Sequence, residues 1–225
     1  MTSGAPGTFG AMQLRVADEL GGRTDLLVPQ IANQVSSPIQ MAILDAVMRW
    51  QDSRFWFNEY RVAGAFNTVR GQEFYTAADW PDIATIQHID IMTVVVSGNR
   101  YKMWPRTVEY IERISTNQQW TGMPVDYSYY DFTIRMYPIP NGVYPINVLG
   151  TQWFAPLNAD TDSNVWTTFA ASLIKSTAKL YLYRDTLQDD ERAQAMQNAV
   201  QFELMQLRAA TQRRSATTRM VPTYF

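Results

Sequence analysis

Apolar residues recur at helical spacing at both ends of the chain and at shorter period in the middle. Phe9, Met12, Val16 and Leu20 stand three and four apart, and Gly21-Gly22 closes the run as a C-cap signal. Thr24 to Pro29 reads as a connector. Ser37-Pro38 is a helix start, with serine as N-cap and proline at the first helical position. Ile39, Ala42, Ile43, Ala46, Val47 and Trp50 then mark one face of a helix running to about Ser53. These two helices can pack as an antiparallel pair.

From Phe55 the period changes. Phe55-Trp56-Phe57, Arg61 to Phe66 and Ile86 to Val96 look strand-like. Arg70-Gly71 is a turn before Glu73-Phe74-Tyr75, and Ser97 to Arg100 turns the chain into Tyr101 to Trp104 as a hairpin. Thr107 caps a short helix through about Ser115, with Val108, Ile111 and Ile114 on one face. Asp126 to Tyr130 and Phe132 to Tyr137 form a strand pair, in which Phe132, Ile134 and Met136 alternate with Thr133, Arg135 and Tyr137 as in a half-buried strand. Pro138 to Gly142 is a turn signal, and Tyr144 to Phe154 the last strand.

After the loop Asp160 to Asn164, a long helix is expected from about Thr167, with Phe169, Leu173, Leu180 and Tyr181 on one face. Gln188 to Asp190 connects it to another helix. The acids Asp189-Asp190-Glu191 favour that helix's N-terminal dipole, and Ala193, Met196, Val200, Leu204 and Leu207 form its seam. Beyond Arg208 the pattern dissolves. The fold class expected is α+β: an antiparallel helical bundle of N- and C-terminal helices (8–54 and 163–210), a β-rich insertion (55–162) and an extended C-terminal tail (211–225). Met1 to Gly7 reads as a mobile arm.

With 225 residues, 46% of them hydrophobic and 18% charged, the chain has material for a packed core, which excludes a disordered regulator. The net charge of -2 gives no global pull toward nucleic acid or an acidic membrane. Arginine outnumbers lysine 16 to 3, which fits planar, partly buried ion pairs and equally a GC-rich coding bias. The absence of cysteine removes disulfides, thiol catalysis and Cys-based metal sites, and the single histidine, His88, cannot build a multi-His site. Neither a secretion signal in Met1 to Gly10 nor a membrane span is expected, so the chain reads as a protein of a cytoplasm-like compartment.

Catalytic constellations are sparse, and no cofactor is expected. His88 reads as a strand histidine, and no nucleophile elbow, Walker A or dinucleotide fingerprint is present. Asp79, Asp82, Glu109, Glu112 and Asp126 are carboxylates that could serve a hydrolase, but nothing pairs any two of them. Asp160-x-Asp162-x-Asn164 resembles the start of a calcium loop without its glycine or its twelfth-position glutamate, and reads better as an Asx-rich turn into a helix. The 7 Trp, 12 Tyr and 10 Phe fit a core or an interface. The runs Phe55-Trp56-Phe57 and Tyr127-Ser128-Tyr129-Tyr130 could be stacking platforms for nucleic acid or sugar, but such platforms usually come with a basic groove, Tyr127 to Asp131 is acid-flanked, and core or subunit-interface packing is favoured. The basic, acid-free tail is free to stay solvated, to meet nucleic acid, or to dock in a partner's groove. Arg213, Arg214 and Arg219 would clamp such a groove and Pro222, Tyr224 and Phe225 would anchor in it.

Several stretches in order resemble a known family: Leu14 to Gly21 with Thr24-Asp25-Leu26, Trp50 to Glu59, Phe66 to Tyr75, Met136-Tyr137-Pro138-Ile139-Pro140, and Ala159 to Trp166. Together they look like the head-to-tail connector, or adaptor, proteins of tailed bacteriophages. The resemblance implies a structural virion protein without catalysis. It would form a ring, commonly of twelve copies, between the portal vertex of the head and the tail. The implied partners are the portal protein, tail or nozzle proteins, and other copies of itself, with genomic DNA passing through without sequence-specific binding and no membrane involved. Assembly would occur in the host cytoplasm. The C-terminal segment of such proteins reaches the portal, which would map onto Gln212 to Phe225. The alternative is an aromatic-platform nucleic-acid or carbohydrate-binding module of the phage tail.

Overall fold

A computed structural model describes residues 7–30, 36–116 and 120–215, with no side-chain detail at 215. The fold is mixed α+β, with six α-helices and a seven-stranded sheet among the described residues. The chain divides into two compact units, Met1–Phe57 with Phe154–Phe225, and Asn58–Trp153.

The first unit is helical. α1 (Phe9–Glu19) starts at Thr8, whose side chain accepts from the Ala11 amide, and ends where Gly21 takes φ +88°. There the Gly22 amide reaches the Ala17 carbonyl and the Gly21 amide reaches that of Asp18, a Schellman closure that only a residue tolerant of positive φ permits. α2 (Pro38–Gln51) begins in a capping box, the Ser37 side chain and Gln40 satisfying each other's amides. α4 (Val165–Phe169) and α5 (Ala171–Tyr181) stand where one long helix was expected. Asn164 caps α4 through Trp166 and Thr167, but Ala170 leaves helical geometry and breaks the run. Phe169 therefore falls off the buried face of Leu173, Ile174, Ala178 and Leu180 and turns half-exposed toward Trp56. A π-turn, Leu182–Thr186, follows α5. α6 (Asp190–Ser215) is capped by Asp189, which accepts from the Arg192 amide, and buries Ala193, Val200 and Leu204 as its seam predicts.

Two further sequence expectations fail in this unit. Phe55-Trp56-Phe57 is not a strand. Phe55 and Phe57 stack at 5.3 Å and meet Trp166 edge-on at 5.8 and 5.1 Å, so ring packing sets their backbone. Residues 211–215 are not extended but continue α6. Thr211 Oγ1 donates to the Leu207 carbonyl and accepts from the Trp56 amide, and the Arg214 guanidinium lies 3.6 Å from the Trp56 ring centroid. These contacts carry the helix past the end of its apolar seam. Across the unit, Trp50 Nε1 donates to Thr177 Oγ1, and Gln51 clasps the Phe154 backbone at both its amide and carbonyl.

The second unit is a sheet. Its strands are β1 (Glu59–Asn67), β2 (Phe74–Tyr75), β3 (Ile86–Val96), β4 (Asn99–Pro105), β6 (Asp126–Tyr130), β7 (Thr133–Tyr137) and β9 (Pro145–Gln152), in the order β1-β9-β3-β4-β6-β7-β2. β5 (Thr121–Gly122) and β8 (Ile139–Pro140) form a separate parallel pair. All neighbours in the large sheet are antiparallel except β4 and β6, whose parallel pairing requires a crossover, and α3 (Val108–Ser115), capped by Thr107 as expected, lies on it. Ser97-Gly98 and Asp131-Phe132 are two-residue hairpin turns with positive φ at both positions. Phe132 thus sits at an exposed turn and not in the strand. Arg135 and Tyr137 are buried alongside Ile134 and Met136, so β7 is covered on both faces and its alternation is lost. The core of this unit gathers Tyr60, Phe66, Tyr75, Trp80, Ile89, Met92, Met103, Tyr127 and Val148.

Candidate functional site

The residues singled out for chemistry are spoken for locally. His88 is an exposed strand residue beside Asp90 at 3.6 Å. Asp79 accepts from Gln72 and from the Thr76 amide, Asp82 from the Tyr60 hydroxyl at 2.7 Å, and Asp126 from Arg106 at 2.9 Å. Burial first, and then the Asp82 hydrogen bond, push the Tyr60 phenol above its ordinary range. Glu109 lies in the first turn of α3. Glu112 meets Glu73 through one cation. Buried Arg135 contacts both carboxylates at 2.5 Å and donates to Ser115 Oγ at 2.9 Å, which ties α3 to the sheet. A buried guanidinium between two acids is a structural clamp with its charge satisfied. The acidic loop is likewise structural: Asp160 accepts from Gln13, Asp162 from the Asn158 and Ala159 amides, and Asn164 caps α4. Backbone amides aimed at Asp162 hold its carboxyl below the usual range. Among the described residues, no group of three or more His, Cys, Asp or Glu could hold a metal ion.

The platform candidates go mostly into cores. Phe55, Phe57 and Tyr127 are buried, and burial, with the nearby Asp90 charge, pushes the Tyr127 phenol up to about 12. Of the tail candidates, Arg213 and Arg214 lie on the last turns of α6, while Arg219, Pro222, Tyr224 and Phe225 lie outside the described residues.

Exposed apolar side chains gather instead where the sequence showed only an outer helix face. On α2, Met41, Asp45, Met48 and Asp52 follow one another at spacings of four, three and four, so they share the outward stripe, and Met48 leaves 60% of its surface in water. On α6, Phe202, Met205 and Ala209 do the same, with Phe202 60% and Met205 68% exposed and Arg208 beside them. Arg208 and Asp45 pair with no opposite charge among the described residues. One helix face is thus apolar and acidic and the other apolar and basic. Burial patterning in the sequence gave a faint signal for both, because Met48 and Phe202 break the polar side of an otherwise amphipathic helix.

No described helix is long and apolar enough to cross a membrane. No curated protein matches the chain. A family model described as SU10 adaptor protein matches residues 7–223, nearly the whole chain, and the chain belongs to that family of phage head-tail adaptors.

Proposed function

We propose that this SU10 adaptor family member works as a ring of identical copies between the portal vertex of a phage head and the tail, completing the DNA channel and giving the tail a docking surface. Family membership supplies the adaptor role within a phage particle. The single observation that carries the ring is the pair of unlike stripes on the helical unit, Met41-Asp45-Met48 and Phe202-Met205-Arg208. A ring closed by rotation uses a heterologous interface, with two different and complementary patches on each subunit. Apolar-acidic against apolar-basic is such a pair.

The portal and the tail or nozzle proteins are the partners. The C-terminal segment, with Arg213, Arg214, Arg219, Pro222, Tyr224 and Phe225, engages the portal. Genomic DNA passes through without sequence-specific contact, and no step is catalysed. Copies assemble in the host cytoplasm and end in the virion.

Native mass spectrometry and imaging of portal-bearing heads test this. Twelve copies of 25.8 kDa come to about 310 kDa. Asp45→Lys should abolish the ring, and adding Arg208→Glu should restore it. Rings unaffected by either change would dismiss these stripes as the interface, and a chain that stays single even on the heads would dismiss the ring.

A further inference from the structure

β4 carries a feature that none of these roles uses. Its alternate residues Arg100, Lys102 and Trp104 share one face of the sheet, because side chains repeat with period two, and Arg106 follows just past the strand's end. This is the face opposite the core, which takes Met103 from the same strand. Arg106 is paired with Asp126 at 2.9 Å. Arg100 meets no carboxylate among the described residues, and Lys102 holds its ammonium 4.8 Å from the Trp104 ring centroid. Trp104 leaves 51% of its surface exposed.

The register widens this stripe into a surface. Met92 faces Met103, so Ile91, just before it, lies in the row of Trp104. Ile91 faces Leu149 and Leu149 faces Arg61. The row therefore runs from the exposed Arg61 across two aliphatic side chains to an exposed indole, with Lys102 and Arg100 in the next rows. Only Trp104 and Pro105 of β4 pair with β6, so among the described residues the outer edge of Asn99 to Met103 has no neighbouring strand.

We infer that this face is a binding site for single-stranded nucleic acid. Cations two residues apart follow a phosphate chain, and an exposed indole gives a base a stacking face without reading its identity. An acidic peptide would satisfy Arg100 and Lys102 but would leave Trp104 and the Ile91-Leu149 strip unused, so nucleic acid fits more of the surface. The site is separate from the helical stripes and stands whether or not the chain forms a ring.

Fluorescence anisotropy of a labelled oligothymidylate, titrated with the full chain over a range of salt, tests it. Wild type should bind at low salt. Arg100→Ala with Lys102→Ala should lower the slope of log affinity against log salt by about 1.4, the value for two phosphates on a single strand. Trp104→Ala should weaken binding about tenfold at every salt concentration. Arg70→Ala, an exposed cation elsewhere, should change neither, and unchanged thermal unfolding of all variants would show that the fold is kept. Absence of binding at low salt would overturn the proposal and leave Arg100 and Lys102 as guards of an open edge. So would binding that ignores Trp104, or a polyglutamate that competes with the oligonucleotide as an equal.

Discussion

Gly150 is the tightest point of the sheet. It lies on β9 and faces Tyr60 on β1 and Ile89 on β3, so neither side of it is an edge. A methyl group added there would overlap the carbonyl oxygen of His88 and lie 3.1 Å from its carbon and 3.2 Å from the Ile89 Cα. All three atoms are backbone, and a flexible side chain cannot absorb the conflict. Gly150→Ala must therefore part β3 from β9 locally. About two ladder hydrogen bonds would go, each worth roughly 1 kcal/mol net, and the packing of Ile89 and Val148 in the core would loosen. A total of about 3 kcal/mol exceeds the 0.4–1 kcal/mol that alanine typically gains by restricting the unfolded chain. In a unit of this size that corresponds to a fall in Tm of roughly 15 °C. Thermal unfolding followed by near-ultraviolet circular dichroism, with hydrogen exchange at β3 and β9 to assign the loss to this unit, would measure it. A variant melting with wild type would refute the close approach of the two strands.

Other perturbations have equally definite outcomes. Trp50→Phe removes the indole donor to Thr177 Oγ1 inside the helical unit and should cost about 1–2 kcal/mol in chemical denaturation, the buried Thr177 hydroxyl keeping only its own bond to the Leu173 carbonyl. Asp189→Ala strips the cap of α6 and should cost about 1 kcal/mol, with Asp189→Ser recovering most of it. Burial pushes the Glu19 carboxyl up, but Lys175 and Lys179 together hold it below its ordinary value of 4.5. A carboxylate depressed in the folded state stabilises it above the unfolded pKa, and that contribution fades as pH falls below about 4.5 through the folded value. Glu19→Gln should flatten the drop of Tm with acidification in that window, and an unchanged profile would show that the two lysines contribute nothing through it.

Membership of the adaptor family was legible in the order of several short stretches, and three of them form local structural devices. Leu14 to Gly21 is the end of α1 with its Schellman closure, Trp50 to Glu59 runs from the Thr177 contact through the ring cluster, and Ala159 to Trp166 is the loop and cap that start α4. Each is a local device with few chemical solutions. The candidate surfaces were less legible. Nothing in Tyr127 to Tyr130 distinguishes a buried ring from an exposed one, and the run scatters between the core and a hairpin rim. The surface at Trp104 was not legible at all, because its basic neighbours alternate with other residues along the chain and join it only on a pleated face.

The sequence alone determined what depends on near neighbours. Caps at Ser37 and Thr107, the glycine closure at Gly21, the hairpin at Ser97-Gly98 and the seam of α6 are settled within a few residues, where backbone amides and side-chain period leave little choice. Tertiary structure decided the rest. Pairing β4 with β6, burying Arg135 between Glu73 and Glu112, curling Phe55-Trp56-Phe57 around Trp166 and extending α6 to Ser215 are all fixed by partners distant along the chain. The energy of packing and charge pairing between remote residues outweighs local propensity there, and local propensity is all that a linear pattern records.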